Sequence, residues 1–158
     1  MMPLLILNLF FAAVFTLLLG STRISAFIGG FFIGYIILWV SSPLYPDTRY
    51  FRKLPKTINL VLYFFKELVI SSFRVTWDVI TPSHISRPGI IGVPLSARTD
   101  LEIFLVSSLL SLTPGTLSVD LSEDRHTLFV HVMFLEDGDK TRHDIKNGLE
   151  KRVLEVMR

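Results

Sequence analysis

Residues 1–42 carry a single charged side chain, Arg23. Every other one of the 16 Lys and Arg, and all 14 Asp and Glu, lies beyond them. A stretch so poor in charge has to leave water, for a bilayer or for the core of a soluble helix pair. MMPLLILNLFFAAVFTLLLG offers about 20 residues, roughly 30 Å as a helix, which matches a bilayer core. Gly20-Ser21-Thr22-Arg23 reads as a turn. Ile24 to Val40 is a second apolar run, which Ser41-Ser42-Pro43 should stop. The expectation is a transmembrane helical hairpin over 1–42. A buried soluble pair is the less favoured alternative, because such cores seldom tolerate one charge in so long a run. The segment lacks a positive n-region and its apolar run is too long for a secretory signal, so it is expected to stay on the mature protein.

Ala26, Gly30 and Gly34 are spaced four apart in the second run. Small residues on one helical face let another helix approach closely, so these three are candidate packing positions. The plainer reading is that glycine is common in membrane helices. Asn8 and Thr16 are the notable polar side chains of the first run.

Residues 43–82 are expected to form a basic linker and an amphipathic or third membrane helix. Arg49, Arg52, Lys53 and Lys56 face one acid, Asp47, whereas the outer turn holds only Arg23. The positive-inside rule therefore puts this segment and the N-terminus in the cytoplasm. Trp39, Tyr45 and Tyr50 suit the headgroup level. From Thr57 to Ile80, polar residues recur at three- and four-residue steps, among them Tyr63, Glu67, Ser71, Arg74 and Asp78. They form a narrow stripe on an otherwise apolar helix. Such a helix either lies in the interface or against partners, the favoured reading, or crosses the membrane.

Residues 83–158 read as a small cytoplasmic α+β domain of order β-α-β-β-α. Ile90 to Leu95 is a strand with Pro94 marking an edge or end. Thr99 and Glu102 make a capping box, so a helix starts there and is broken by Pro114-Gly115. Leu117, Val119 and Leu121 alternate with polar residues as a half-buried strand. After a turn at Ser122–His126, Leu128, Val130, Val132 and Phe134 form the apolar side of a returning strand. A final helix carries Ile145, Leu149, Val153 and Val156 on one face. A domain this small is marginal alone, so docking is expected to help it.

Little chemistry is legible. His84, His126, His131 and His143 are not spaced as a metal pair on a helix, and His131 reads as structural. Cysteine is absent, which removes disulfides and thiolate sites. GIIGVP has the wrong glycine spacing for a dinucleotide fold, and Asp137-Gly138-Asp139 lacks the EF-hand spacing and reads as a turn. No catalytic, cofactor or metal site is expected. The net charge of +2 offers no large basic surface for nucleic acid. An ion path needs buried ionisable groups, and the two apolar runs have none; Glu67 and Arg74 are the possible exceptions.

Ser111-Leu112-Thr113-Pro114-Gly115-Thr116, with the strand after it and LFVHV ending near His131, resembles the E subunit of Mrp-type multisubunit cation/proton antiporters. The two apolar runs, the basic linker and KELVISSFRVTWDV extend the resemblance over essentially the whole chain. The resemblance implies a non-catalytic accessory subunit of a Na+ or K+/proton antiporter, not an enzyme, supporting assembly and activity. Its partners would be the other subunits and the lipid bilayer of a bacterial cell (inner) membrane. A membrane-anchored scaffold or binding module of another complex is the alternative. Residues 111–116 would then be a fold corner, alone or also docking another subunit; a ligand site is the least favoured reading.

Overall fold

The computed structural model describes residues 2–44, 49–82 and 85–158. Tyr45, Asp47, Ser83 and His84 lie outside the described residues, as does the Arg49 side chain. The chain divides into two compact units, Met1–Pro55 and Lys56–Arg158.

In the first unit α1 (Met2–Leu18) and α2 (Ile24–Val40) form a helical hairpin. α1 ends earlier than the apolar run does. Gly20 takes φ +58, its N–H donates to the Leu17 carbonyl, and the Ser21 N–H donates to that of Thr16. This is a Schellman stop, and glycine suits it because it lacks a Cβ. Each helix therefore has 17 residues, about 25 Å. Among the described residues no helix is long and apolar enough to cross a membrane.

The two helices touch closely. A Cβ on Gly30 would meet Phe15 Cβ at 2.9 Å and Ala12 Cα at 3.0 Å. One on Gly34 would collide with Asn8 Oδ1 and meet Phe11 Cβ at 3.1 Å. Asn8 is fully buried, and its Nδ2 donates to Tyr50 Oη over 2.7 Å. Tyr50 is 2 % exposed, enclosed by its own unit. Its ring packs edge-on against Tyr35 and Phe51, and its hydroxyl answers the one buried amide of α1.

The helix α3 (Arg49–Ile80) contains Pro55, at which the two units divide. From Lys56 on, the second unit comprises the rest of α3, β1 (Gly89–Pro94), α4 (Asp100–Leu112), β2 (Thr116–Leu121), β3 (Thr127–Val132), α5 (Gly138–Ile145) and α6 (Lys151–Met157). A π-turn over Lys146–Glu150 joins α5 to α6. The sheet order is β1-β3-β2, with both neighbours antiparallel to β3. Ile91, Val93, Leu128, Val130 and Val132 cover one sheet face and meet Val106 and Leu110 of α4 and Ile145, Leu149 and Val153 of the C-terminal helices.

The expected facing of β2 is wrong. The register slips between Ser118 and Asp120, and this bulge at Val119 leaves Leu117 and Val119 more than half exposed. Ser118 turns towards α4 instead, its hydroxyl donating to the Ser107 carbonyl and its N–H to Ser111 Oγ. The outer edge of β1 is also closed by side chains. The Leu95 N–H donates to the His126 carbonyl, so by alternation Ile90, Gly92 and Pro94 turn their backbone groups outward. Arg142 Nε donates to the Gly92 carbonyl at 2.9 Å and Lys146 Nζ to that of Pro94 at 3.2 Å.

Candidate functional site

The polar stripe of α3 is the side that meets the α/β domain. Tyr63 lies with its hydroxyl against Gly148, where any Cβ would collide. The π-turn holds that glycine, and one turn later the Arg152 guanidinium stacks over the Tyr63 ring at 4.0 Å. Burial pushes the Tyr63 hydroxyl up from its ordinary pKa, and the Glu67 carboxylate nearby adds to it. Further along, Arg74 lies 5.8 Å from the centre of the Phe134 ring. The buried Asp78 carboxylate then accepts from the backbone N–H groups of Ile85 (2.5 Å) and Ser86 (3.0 Å). Stacking, cation–π contact and charge-assisted hydrogen bonds thus fasten the stripe at three levels.

Between these levels is a cavity of about 200 Å³. Glu67, Ser71 and Arg74 line it from α3, Thr113 to Thr116 from the corner after α4, and Thr141 and Asp144 from α5. Leu110, Val132, Ile145 and Leu149 form its apolar floor.

The corner is built by local chemistry. Pro114 cannot continue the helix, and Gly115 takes φ +87, which any other residue adopts only with strain. Thr113 Oγ1 donates to the Leu109 carbonyl, and Thr116 Oγ1 to those of Leu110 and Thr113. The carbonyls freed where α4 ends are therefore taken up within the corner. The Gly115 carbonyl accepts from Met133 and ties the corner to the end of β3.

The structure thus joins two sets of residues that the sequence presents apart. Glu67, Ser71 and Arg74 share one cavity with Thr113, Pro114, Gly115 and Thr116. Asp78 lies beyond it as a cap for the next segment. Ser111 turns to β2, and Leu112 is 62 % exposed. Ala26, Gly30 and Gly34 belong to the other unit, where Gly30 and Gly34 face α1. Sequence reasoning missed Gly148, Arg152, Phe134 and Asp144. The one available signal was a glycine inside a charged helical segment, which needs a close approach to justify it. His131 is half-buried in β3. Among the described residues no three His, Asp or Glu are placed to hold a metal ion. The cavity has the size and mixed polarity to receive a side chain or a small polar group.

Residues 8–156 match the family described as Na+/H+ ion antiporter subunit. The E subunit of the Na+/H+ antiporter of Bacillus subtilis (strain 168) is 36 % identical over 153 residues, 97 % of this chain and 97 % of that one. A chain in the structure of the Mrp complex from Dietzia sp. DQ12-45-1b is 30 % identical, with a TM-score of 0.51 over 62 % of this chain and 92 % of its own. A chain of the membrane-bound sulfane sulfur reductase, an archaeal respiratory membrane complex, shares the fold alone. Its identity is 16 % and its TM-score 0.56, over 95 % of this chain and 96 % of its own. On a family match that runs almost from end to end, the chain belongs to the family of Na+/H+ antiporter E subunits.

Proposed function

We propose that this chain is a non-catalytic accessory subunit of a multisubunit monovalent cation/proton antiporter and supports the assembly and activity of that complex. The observation that carries the reading is the family match over residues 8–156. The transported ions move through other subunits. The hairpin of α1 and α2 anchors the chain in the cell membrane, with both termini and the α/β domain on the cytoplasmic side. Support comes from its charge distribution and from the apolar side chains that it turns outward. Leu17, Leu18, Ile24, Phe32, Ile36 and Val40 are all more than half exposed. Helices of 17 residues are at the short end of the spanning range, and local thinning of the bilayer accommodates them. Residues 111–116 act first as a fold corner, since their hydroxyls are spent inside the domain.

The test is cation-driven proton movement in membrane vesicles, normalised to assembled complex. Deleting the subunit should abolish or strongly reduce activity through loss of assembly. Glu67→Gln should leave cation preference and pH profile unchanged. A normally assembled Glu67→Gln complex with a shifted pH optimum would mean that this chain lines the ion path. Orientation is read separately, by an impermeant thiol reagent on intact cells with cysteine at position 21 or 147. Labelling of residue 147 with residue 21 protected would reverse it.

A further inference from the structure

With the stripe of α3 occupied by the α/β domain, the rest of the helix is left bare. Leu62, Phe65, Val69, Phe73, Trp77 and Ile80 are each more than half exposed. At about 100° per residue, the outward positions between 57 and 80 sweep an arc of roughly 200°. The ionisable groups divide sharply between the two sides. Glu67 and Arg74 line the cavity and Asp78 caps the segment that follows. The arc retains one, Lys66, whose side chain is 66 % exposed at its margin. Two hydroxyls on the arc are spent within the helix itself. Ser72 Oγ donates to the Leu68 carbonyl and Thr76 Oγ1 to the Ser72 carbonyl, both at 2.7 Å.

We propose that α3 lies along the membrane surface, its polar stripe fastened to the α/β domain and its apolar arc sunk in lipid. The inference rests on the reading of the chain as a membrane subunit. Three observations select lipid over a protein partner. The arc is about twice the width of the stripe by which a helix ordinarily meets its own protein. Hydroxyls bonded to their own helix need nothing from a partner, which suits a medium without donors or acceptors. Lys66 keeps its ammonium 3.9 Å from the Glu67 carboxylate at the rim of the stripe, so the one charge on the arc sits beside a counter-charge and its apolar stem can lie along the helix. The charged stripe argues equally against crossing, because upright insertion would carry three ionisable groups and the domain bound to them into the bilayer. Lying flat, residues 57–80 form a rail about 36 Å long, from which the domain hangs.

The experiment places one tryptophan as a depth gauge. In a Trp39→Phe background Trp77 is the sole tryptophan of this chain, and native tryptophans in co-purified subunits are corrected with a Trp39→Phe/Trp77→Phe complex. The assembled complex is reconstituted in vesicles whose acyl chains carry bromines near the headgroup or near the chain end. Trp77 emission should fall at least twofold with the shallow bromines and less with the deep ones. Unquenched Trp77 would mean that another subunit covers the arc, and stronger quenching by the deep bromines would mean that α3 crosses; either overturns the proposal. If no other subunits co-purify, the accessory-subunit reading fails by itself. Trp77 is then measured in the chain alone, with the same outcomes.

Discussion

The two units differ in what they leave on their surfaces, as the proposed membrane and water surroundings would require. The α/β domain has a continuous apolar core, in which Val93, Val106, Val130 and Val153 are fully buried. Its buried carboxylates accept hydrogen bonds, Glu150 from the N–H groups of Ser96 and Ala97, and Glu102 from Arg98 and Thr99. In the first unit many apolar side chains turn outward, and a polar pair, Asn8 of α1 and Tyr50 of α3, lies inside beside Leu4, Ala12 and Leu38. A water-facing unit gains most from burying hydrocarbon. A unit whose surroundings are already apolar gains little from it, and is held by close backbone approach and interior hydrogen bonds. One chain thus carries two rules for what a harmful substitution is.

The largest contrast follows directly. Val130→Asp puts a carboxylate into the domain core and should cost on the order of 4 kcal/mol or more, enough to unfold the domain. Phe32→Asp, at a position 57 % exposed, should leave the domain's unfolding transition in place and instead empty the membrane fraction. Thermal melts in mild detergent and cell fractionation read the two effects. Equal damage to the domain by both would end the comparison.

Next in size is a pH effect confined to the domain. Arg158 donates to Glu102 from Nε at 3.0 Å and from Nη2 at 3.2 Å. These bonds first, then the backbone N–H of Arg98, hold the Glu102 carboxyl down to about 2 from its ordinary 4.5. The folded state therefore takes up this proton less readily than the unfolded chain. The stabilisation is complete above about pH 4.5 and is lost as the pH falls to about 2. It amounts to no more than about 3 kcal/mol, trimmed by solvent at the half-exposed Arg158. Glu102→Gln should remove most of this slope from the domain's stability between about pH 5 and about pH 2. An unchanged slope would mean that other carboxylates carry it.

A smaller effect sharpens the hairpin side. Gly34→Ala should push α1 and α2 apart at Asn8 and cost about 1–3 kcal/mol. Asn8→Ala removes the atom that the new methyl would strike, so the double variant should recover about 1 kcal/mol of the loss relative to additivity. Strict additivity, measured by cysteine cross-linking of α1 to α2 or by detergent-induced unfolding, would show that Gly34 is not there to admit Asn8.

How much of this could be read beforehand differs between the regions for physical reasons. In the domain local signals agreed with the fold. The Thr99–Glu102 capping box is present, Pro114-Gly115 turns the chain, and the alternation in β3 faces as expected. β2 misled because a bulge inverts facing, and a single extra residue has no signature in a pattern of period two. The π-turn was hidden for the same reason, since it interrupts a helical period that otherwise runs from Ile145 to Val153. For the candidate site, the stripe and the corner were each legible, but not their meeting. Periodicity tells which residues share a face; what that face meets depends on Gly148 and Arg152, far along the chain. In the hairpin, hydropathy announced the helices but said nothing of Tyr50 reaching back to Asn8.

The smallest predicted effect tests whether the domain guards the polar groups that its sheet leaves open, a problem a helical hairpin never meets. The outer edge of β1 presents the Gly92 and Pro94 carbonyls, and Arg142 and Lys146 donate to them. Pro94 has no N–H to offer, and the two cations repel a further basic strand, so the edge is a poor template for another chain. Arg142→Ala with Lys146→Ala returns both carbonyls to water and should cost about 1 kcal/mol for each bond lost. The more telling readout is association. The double variant should show concentration-dependent self-association by sedimentation in detergent, and a control that removes a neighbouring charge, Lys140→Ala, should not. Should Lys140→Ala associate equally, loss of net charge would be the cause. Should neither associate, the twist and shortness of β1 already suffice, and Arg142 and Lys146 would serve only to pin α5 and the π-turn to the sheet.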